Sequence, residues 1–238
     1  MAPIFLANFE DFYKLIPIND NKNISFHHHL RNGDYVLNHV LNHYIDEKVQ
    51  GINLFPSAIF PNYHTILDMI KNNQINDITT NYLNGPVAEY ISKNGLPGRL
   101  KMQTHGGRAR SVLEGFNDID IAYLAAPYVD YLGNAIGYKG KNKCGSLGYA
   151  IPDSKTAKIT VLVTDTVTEE LIKDPEIQGT DVDYIIQIPS IGDNKGIVSG
   201  TTNITSNPIG VKIAKNTSQL MKELGVIKDG FSFQSGAG

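Results

Sequence analysis

The fold is decided by residues 23–55, NISFHHHLRNGDYVLNHVLNHYIDEKVQGINLF. The runs 23–27 and 51–55 are short and rich in β-branched and aromatic residues, which predicts a strand at each end. Between them, over 34–48, apolar side chains recur every three or four residues and so share one helix face. Asp34 directly follows Gly33 and can cap this helix. The stretch therefore predicts a strand–helix–strand unit; the residues of the apolar face are Val36, Leu37, Val40, Leu41, Tyr44 and Ile45.

The same alternation continues along the chain. Helices are predicted over 63–71, 86–94 and from the Asn207-Pro208 cap to Leu224, and strands over 75–80, 99–103, 119–124, 159–163 and 184–188. Strands that alternate with helices are typical of an α/β protein with an open, mostly parallel sheet and helices on both faces. No segment has the composition of a linker, so residues 1–238 are predicted to form one domain.

Composition excludes several classes of protein. The chain has 21 Lys+Arg against 24 Asp+Glu, a net charge of −3, which argues against a nucleic-acid partner. Apolar residues make up 41% and charged residues 19%, as in ordinary globular proteins rather than disordered ones. The N-terminus lacks a signal-peptide pattern and no apolar run is long enough to cross a membrane. With Cys144 as its one cysteine, the chain is expected in the cytoplasm.

In an open parallel sheet, ligands bind beside the carboxyl ends of the strands. Two of the loops expected there both contain histidine, arginine and glycine. The first, 27–33, contains three consecutive histidines, Arg31 and Gly33, and the second, 104–110, contains His105, two glycines and Arg108. An ordinary strand-to-helix turn explains either loop alone, but together they favour a site for a carboxylate or phosphate. We expect 27–33, 104–110 and 133–148 to meet at one end of the sheet.

Other constellations are less informative. Adjacent histidines on an extended chain point in alternate directions, and the pair His39 and His43 lacks a third ligand, so no metal site is predicted. The loop 132–148 has five glycines and three lysines but not the spacing of a phosphate-binding loop. Lys143 beside Cys144 could lower the thiol pKa, yet no base is evident, and a structural thiol is favoured over a catalytic one.

Several motifs carry a resemblance to a known family. They occur in the same order along nearly the whole chain, and together they resemble the citrate lyase alpha subunit family. The motifs are ISFHHHLRNGD at 24–34, THGGR at 104–108, GNAIGY at 133–138 with Lys141, CGSLGYAI at 144–151, DVD at 181–183, IGD at 191–193, TSNP at 205–208 and GFSFQSGAG at 230–238.

The resemblance implies a CoA-transferase-like fold and a transferase activity. Acetyl on the phosphopantetheine-type thiol of an acyl carrier protein, the gamma subunit, is exchanged for citryl with release of acetate, and a lyase (beta) subunit then cleaves the citryl thioester. No covalently bound cofactor is implied for this chain, and homo- and hetero-oligomers are expected. Family members contain two similar halves; this chain resembles the first, ending inside a glycine turn, so it is expected to have little activity alone.

The resemblance also assigns site residues. The turn Gly236, Ala237 and Gly238 is expected to stabilise the oxyanion of the thioester carbonyl. Binding of citrate or of the CoA-like moiety is assigned to His27, His28, Arg31, Gly33, His105, Gly106, Gly107, Arg108, Asn134 and Lys141. No glutamate nucleophile is assigned. Alternatives are another acyl-CoA:carboxylate CoA-transferase, a thioester hydrolase, or a noncatalytic half-subunit that docks a carrier protein.

Overall fold

The structure is a computed structural model that describes residues 2–27, 29–197 and 204–232. Its helices begin and end close to the predicted bounds where the apolar period is clear. They are α1 (Phe9–Leu15), α2 (Val36–Asp46), α3 (His64–Lys71), α4 (Pro86–Asn94), α5 (His105–Leu113), α6 (Ala150–Thr156) and α7 (Pro208–Glu223).

The strands form two sheets. They are β1 (Ile4–Leu6), β2 (Asn23–His27), β3 (Ile52–Pro56), β4 (Ile75–Thr80), β5 (Leu100–Met102), β6 (Ile121–Ala125), β7 (Tyr128–Asp130), β8 (Ala135–Ile136), β9 (Ile159–Thr164), β10 (Val167–Thr168) and β11 (Tyr184–Gln187). The large sheet has the order β1-β11-β9-β6-β2-β3-β4-β5, and all its described pairs are parallel. The small sheet has the order β10-β7-β8.

Both faces of the large sheet are covered, because successive strand residues enter different cores. Ile121 and Tyr123 of β6 pack in a core shared with α1, α2, α3 and α4, whereas Ala122 and Leu124 pack in a second core with α5, α6 and the small sheet. A strand buried on both sides needs apolar residues throughout, as β6 has. The predicted fold class is confirmed.

Several elements differ from the prediction. Residues 105–110, expected in a loop, lie in α5, and β1, α1, β7 and α6 were not predicted. Thr104 starts α5 by accepting a hydrogen bond from the Gly107 N–H at 3.0 Å, which offsets the low helix propensity of Gly106 and Gly107. The strands β8 and β10 have two residues each, too few for a period to show.

The chain divides into two compact units, Met1–Ile197 and Val198–Gly238. The large sheet and both described cores lie in the first unit. In the second unit, the Asn207 side chain accepts a hydrogen bond from the Ile209 N–H at 2.9 Å, and α7 begins at Pro208 as predicted. None of the described helices is long and apolar enough to span a bilayer.

Candidate functional site

The order of the large sheet reverses next to β2. The chain runs outward from β2 through β3 and β4 to β5, and then returns to place β6 on the other side of β2. Crevices at such switch points, outside the carboxyl ends of the strands, are where open α/β sheets bind ligands. His27 is the last residue of β2 and lies opposite Leu124 of β6, which places its side chain at this point.

The half-buried His27 is packed by polar and aromatic groups. Its Nδ1 lies 2.7 Å from the hydroxyl of Ser57, the first residue after β3. Its ring meets those of His29 and Tyr149 almost perpendicularly, with centroids 4.2 and 5.4 Å away. The Gly148 backbone passes close to the ring, since a Cβ on this residue would lie 3.2 Å from His27 Nε2.

Tyr149 contacts residues at or just after the ends of three strands, β2, β4 and β5. Asn81, the first residue after β4, donates from Nδ2 to the Tyr149 hydroxyl at 3.3 Å and to the Thr104 carbonyl oxygen at 3.0 Å. The exposed His105 ring lies 6.0 Å from the Tyr149 ring. His27 of the first predicted loop, His105 of the second and Gly148, the last residue of the third, therefore lie close to Tyr149 or to its partner His27.

Arg108 has a different role from the predicted one. Its guanidinium is buried and donates to both carboxylate oxygens of Asp153, at 2.8 Å each, and to Ser25 Oγ and the Phe55 carbonyl oxygen, at 3.1 Å each. Ser25 also donates to the Asp153 carboxylate. A guanidinium whose donors are turned inward does not bind an exposed anion, so the assignment of Arg108 as a substrate ligand is corrected to an interior ion pair beneath the site.

Two predicted glycines have structural explanations. Gly33 is buried, and a Cβ there would lie 1.9 Å from the Asp193 carbonyl oxygen, so only glycine allows this close packing. Gly107 sits in the first turn of α5, where its N–H is taken by Thr104. Around Gly106, by contrast, no described heavy atom would lie within 4 Å of an added Cβ, which leaves the first turn of α5 open.

Arg31 lies in the loop that follows β2, at the same end of the sheet as His27. Its side chain is exposed, its φ is +53°, and its carbonyl oxygen accepts a hydrogen bond from the Tyr63 hydroxyl at 3.0 Å. The left-handed backbone bends the chain sharply after the strand. Arg31 is therefore an exposed cation on the loop that follows β2.

The side chains of Asn134 and Lys141 make their contacts outside the cluster around Tyr149. Asn134 donates to Asp130 and accepts from the Gly179 N–H, both at 3.0 Å, and so braces the turn between β7 and β8. Lys141 Nζ donates to the Pro189 carbonyl oxygen at 3.3 Å, at the rim of an open cleft of about 640 Å³ beside the ends of β1, β9 and β11. Their described contacts do not bring them into the cluster around Tyr149.

Four predicted site residues lie outside the described residues. They are His28 and the turn Gly236, Ala237 and Gly238.

The other residues considered for metal binding or catalysis are His39, His43 and Cys144. The exposed His39 and half-buried His43 pack on the rings of Phe9 and Tyr13, with centroids 4.8 and 3.9 Å away. The part of the chain that the structure describes contains no group of three or more His, Cys, Asp or Glu side chains arranged to hold a metal ion.

The Cys144 thiol is held in its protonated form. Burial, and to a smaller extent the Glu176 carboxylate, raise the pKa of this thiol to about 12, whereas the adjacent lysine suggested that the pKa would be lowered.

The sequence reasoning missed Ser57, Asn81 and Tyr149. Ser57 and Asn81 are the first residues after β3 and β4, and the first polar residues beyond the predicted strands 51–55 and 75–80, at the ligand-binding end of the sheet. The first polar residue after every parallel strand is thus a signal that could have found both. Tyr149 has no comparable signal, because its neighbours come from distant parts of the chain.

Solved structures with little sequence identity share this fold. Glutaconate coenzyme A-transferase from Acidaminococcus fermentans superposes with a TM-score of 0.58 at 10% identity, over 92% of this chain and 87% of that one. A malonate decarboxylase alpha subunit from Acinetobacter baumannii gives 0.61 at 13% identity, over 80% and 35%. The architecture, with its polar cluster at the switch point, defines a CoA-transferase-like α/β protein.

Closer relatives define the family. The family model for the citrate lyase alpha subunit matches residues 5–238, and the chain belongs to that family. The citrate lyase alpha chain of Haemophilus influenzae is 37% identical over 232 residues, 98% of this chain and 46% of that protein; the Escherichia coli chain is 34% identical with the same coverage. A citrate lyase alpha subunit structure from Streptococcus mutans, in complex with citrate, is 38% identical with a TM-score of 0.87, over 99% and 46%. This chain spans about half the length of these relatives.

Proposed function

We propose that this chain supplies part of a transferase that exchanges acetyl for citryl on the phosphopantetheine-type thiol of an acyl carrier protein. The observation that carries the proposal is the similarity, over 99% of the chain, to a citrate lyase alpha subunit solved with citrate. The acyl carrier and a lyase subunit that cleaves the citryl thioester are the proposed partners, in a cytoplasmic hetero-oligomer.

The proposed reaction balances without an oxidant or a metal. A citrate carboxylate attacks the acetyl thioester carbonyl carbon, a C–O bond forms, and the C–S bond breaks as the thiolate leaves. The product is a mixed anhydride of acetate and citrate. The thiolate then attacks the citryl carbonyl carbon, and acetate leaves with the electron pair of the broken C–O bond. Each addition passes through an oxyanion, which preorganised N–H donors stabilise.

The described residues suit the binding part of this chemistry. A tricarboxylate needs cationic or N–H donors, and His27, His105 and Arg31 offer them at the ligand-binding end of the sheet. We assign these three side chains to citrate, with Gly106 leaving the start of α5 accessible. His28 and Lys141 are proposed to support binding of citrate or of the cofactor phosphates, and Gly236, Ala237 and Gly238 to form the oxyanion turn.

Mass spectrometry can test the reaction class. The chain is combined with the second half of a citrate lyase alpha chain, citrate and acetyl-CoA or acetylated carrier protein. Citryl thioester together with acetate is the expected product. Free CoA without citryl thioester identifies a hydrolase instead, and carrier binding without any conversion identifies a docking half-subunit.

The citrate assignment is tested with His105→Ala, which removes the side-chain donor. Loss of a hydrogen bond to a charged group costs about 1.5–3 kcal/mol, so the KM for citrate should rise about tenfold or more. His64→Ala is the matched control, because His64 is also exposed and lies at a helix start, where its ring contacts the Asn62 carbonyl oxygen. An equal effect of both variants would contradict the assignment of His105.

A further inference from the structure

We propose that Tyr149 is a positioning residue of this site, whose ring fixes the orientations of the His27 and His105 imidazoles and is itself held by the buried guanidinium of Arg108. The consequence for citrate rests on the proposed function. The contacts of the Tyr149 ring with the two imidazoles and with Arg108 do not depend on that function.

The two imidazoles come from different elements and need a common support. His27 ends β2, a central strand, whereas His105 begins α5 after β5, the strand at the edge of the sheet. Tyr149 contacts both rings, one nearly edge-on at 87° and the other tilted at 43°. A tyrosine ring has only two side-chain torsions to fix, so it can define the geometry of two neighbours at low entropic cost.

The Arg108 guanidinium explains why the ring stays in place. Its central carbon lies 5.1 Å from the Tyr149 ring centroid, within the range of a cation–π contact. The in-plane donors of the guanidinium are bound to Asp153, Ser25 and the Phe55 carbonyl oxygen. Those bonds hold the guanidinium in place, and its burial keeps water from it, so the ring lies against a fixed, desolvated cation. Cation–π contacts are strongest when the cation is desolvated.

The hydroxyl of Tyr149 provides the second restraint. It accepts a hydrogen bond from Asn81 Nδ2, and a phenol that accepts one bond keeps its own proton for donation. Burial raises the pKa of this phenol, with a smaller opposing effect from Arg108, so the group stays protonated at neutral pH. The ring is thus held at its face by a cation and at its tip by an amide.

Tyr149 differs in these respects from the structural tyrosines of the chain. Tyr44 and Tyr123 are fully buried and pair with each other through their hydroxyls at 3.2 Å. Tyr149 is only half-buried and stands at the ligand-binding end of the sheet. Tyr90, which is half-buried with Lys71 Nζ 5.9 Å from its ring centroid, offers a matched cation–tyrosine pair away from the site.

The test compares Tyr149→Leu, Tyr149→Phe and the control Tyr90→Leu in the full chain. Long-range ¹H–¹⁵N spectra report the imidazole resonances, assigned with His27→Gln and His105→Gln. Tyr149→Leu should move the resonances of both His27 and His105 and leave those of His64 in place, whereas Tyr149→Phe should largely restore them. Tyr149→Met replaces the leucine variant if that variant does not fold. Movement of one imidazole or neither, or equal movement in Tyr90→Leu, would overturn the proposal.

Kinetics with the second half present separate this inference from the proposed function. Tyr149→Leu should raise the KM for citrate roughly tenfold or more, since small displacements of positioning groups have large effects, and Tyr149→Phe should stay close to the parent. If the parent transfers no acyl group, the proposed function fails while the imidazole spectra still decide the positioning role. If transfer occurs and Tyr149→Leu leaves the KM for citrate unchanged, the positioning role is wrong.

Discussion

At the scale of single residues, the decisive side chain is Arg108. The side chains of Arg108 and Asp153 are 2% and 0% exposed, and they form a bidentate pair. Removing one member of such a pair leaves an unpaired buried charge. We expect Arg108→Ala to lower the free energy of unfolding by about 3–5 kcal/mol, measured by urea denaturation.

Arg110→Ala is the control for this prediction. Arg110 lies on the same helix and pairs with Glu114 at 2.8 Å, but its side chain is 73% exposed. Exposed pairs contribute about 0–1 kcal/mol. A stable Arg108→Ala protein that has lost citrate binding would restore the original assignment of Arg108 as a ligand.

Cys144 gives a prediction about reactivity. Its pKa of about 12 leaves about a thousandfold less thiolate at pH 8 than the ordinary value of 9 would give. Alkylation by iodoacetamide should therefore be slow at pH 8 and should still accelerate above pH 10. A labelling rate that levels off near pH 9 would show an unperturbed thiol.

Sequence reasoning could locate Arg108 near the site but could not assign its partner. Asp153 is 45 residues away and Ser25 is 83 residues away. Neither separation leaves a local pattern, and an arginine in a glycine-containing segment looks like an exposed cation. His27 and His105 were easier, because they stand at or just after the ends of strands that the periodicity already predicted.

At the scale of elements, α5 depends on its cap. Thr104→Ala removes the acceptor for the Gly107 N–H, and we expect a loss of about 1 kcal/mol in the free energy of unfolding. Thr104→Ser keeps an acceptor and should retain most of the stability. Equal losses in the two variants would indicate that the threonine methyl group matters and the cap does not.

At the end of the sheet away from the candidate site, one carboxylate connects the starts of three strands. Asp120, just before β6, accepts from the Asn23 N–H at the start of β2 and from Lys158 Nζ before β9, both at 2.9 Å. Burial raises the pKa of this carboxyl, but the Asn23 N–H and Lys158 outweigh it and the net pKa is lowered.

A lowered folded-state pKa predicts a stabilising effect that is complete above the unfolded value, about 4, and lost as the pH falls through the folded value. The stability difference between the parent and Asp120→Asn should therefore be largest near neutral pH and shrink below pH 4. Urea denaturation at several pH values measures it. A difference independent of pH would mean that ionisation of Asp120 contributes nothing.

The elements that sequence reasoning missed have physical reasons. The start of α5 contains two glycines, which lower helix propensity, and only the capping threonine and tertiary packing stabilise it. The apolar residues of β1 look like the beginning of an irregular N-terminus, since three residues cannot show alternation. Long periodic segments such as α2 and α4, by contrast, were predicted nearly to their ends.

At the scale of the whole molecule, the fold was predictable because alternating periods leave few arrangements for an open parallel sheet. The end of the sheet that binds ligands followed from the same rule. Periodicity does not predict the order of the strands in the sheet. The contacts around Tyr149 could therefore not be predicted either. Those contacts depend on β2 lying between β3 and β6.

The strand order predicts an uneven stability across the sheet. The edge strand β1 has three residues, with Ile4 50% and Phe5 38% exposed, whereas Ile24 and Leu124 of the central strands are fully buried. In hydrogen-exchange mass spectrometry, amides of β1 should exchange well before those of β2 and β6. Equal protection of all three strands would mean that the sheet opens only as one unit.

The pairing of β1 with β11 also matters during synthesis. Ile4 pairs with Tyr184, so β1 finds its neighbour only after about 180 further residues have been made. At bacterial or eukaryotic translation rates this takes roughly 10–40 s. Throughout that interval Ile4 and Phe5 belong to an apolar segment without its partner strand, so we expect this segment to bind chaperones during synthesis and to join the sheet after β11 has formed.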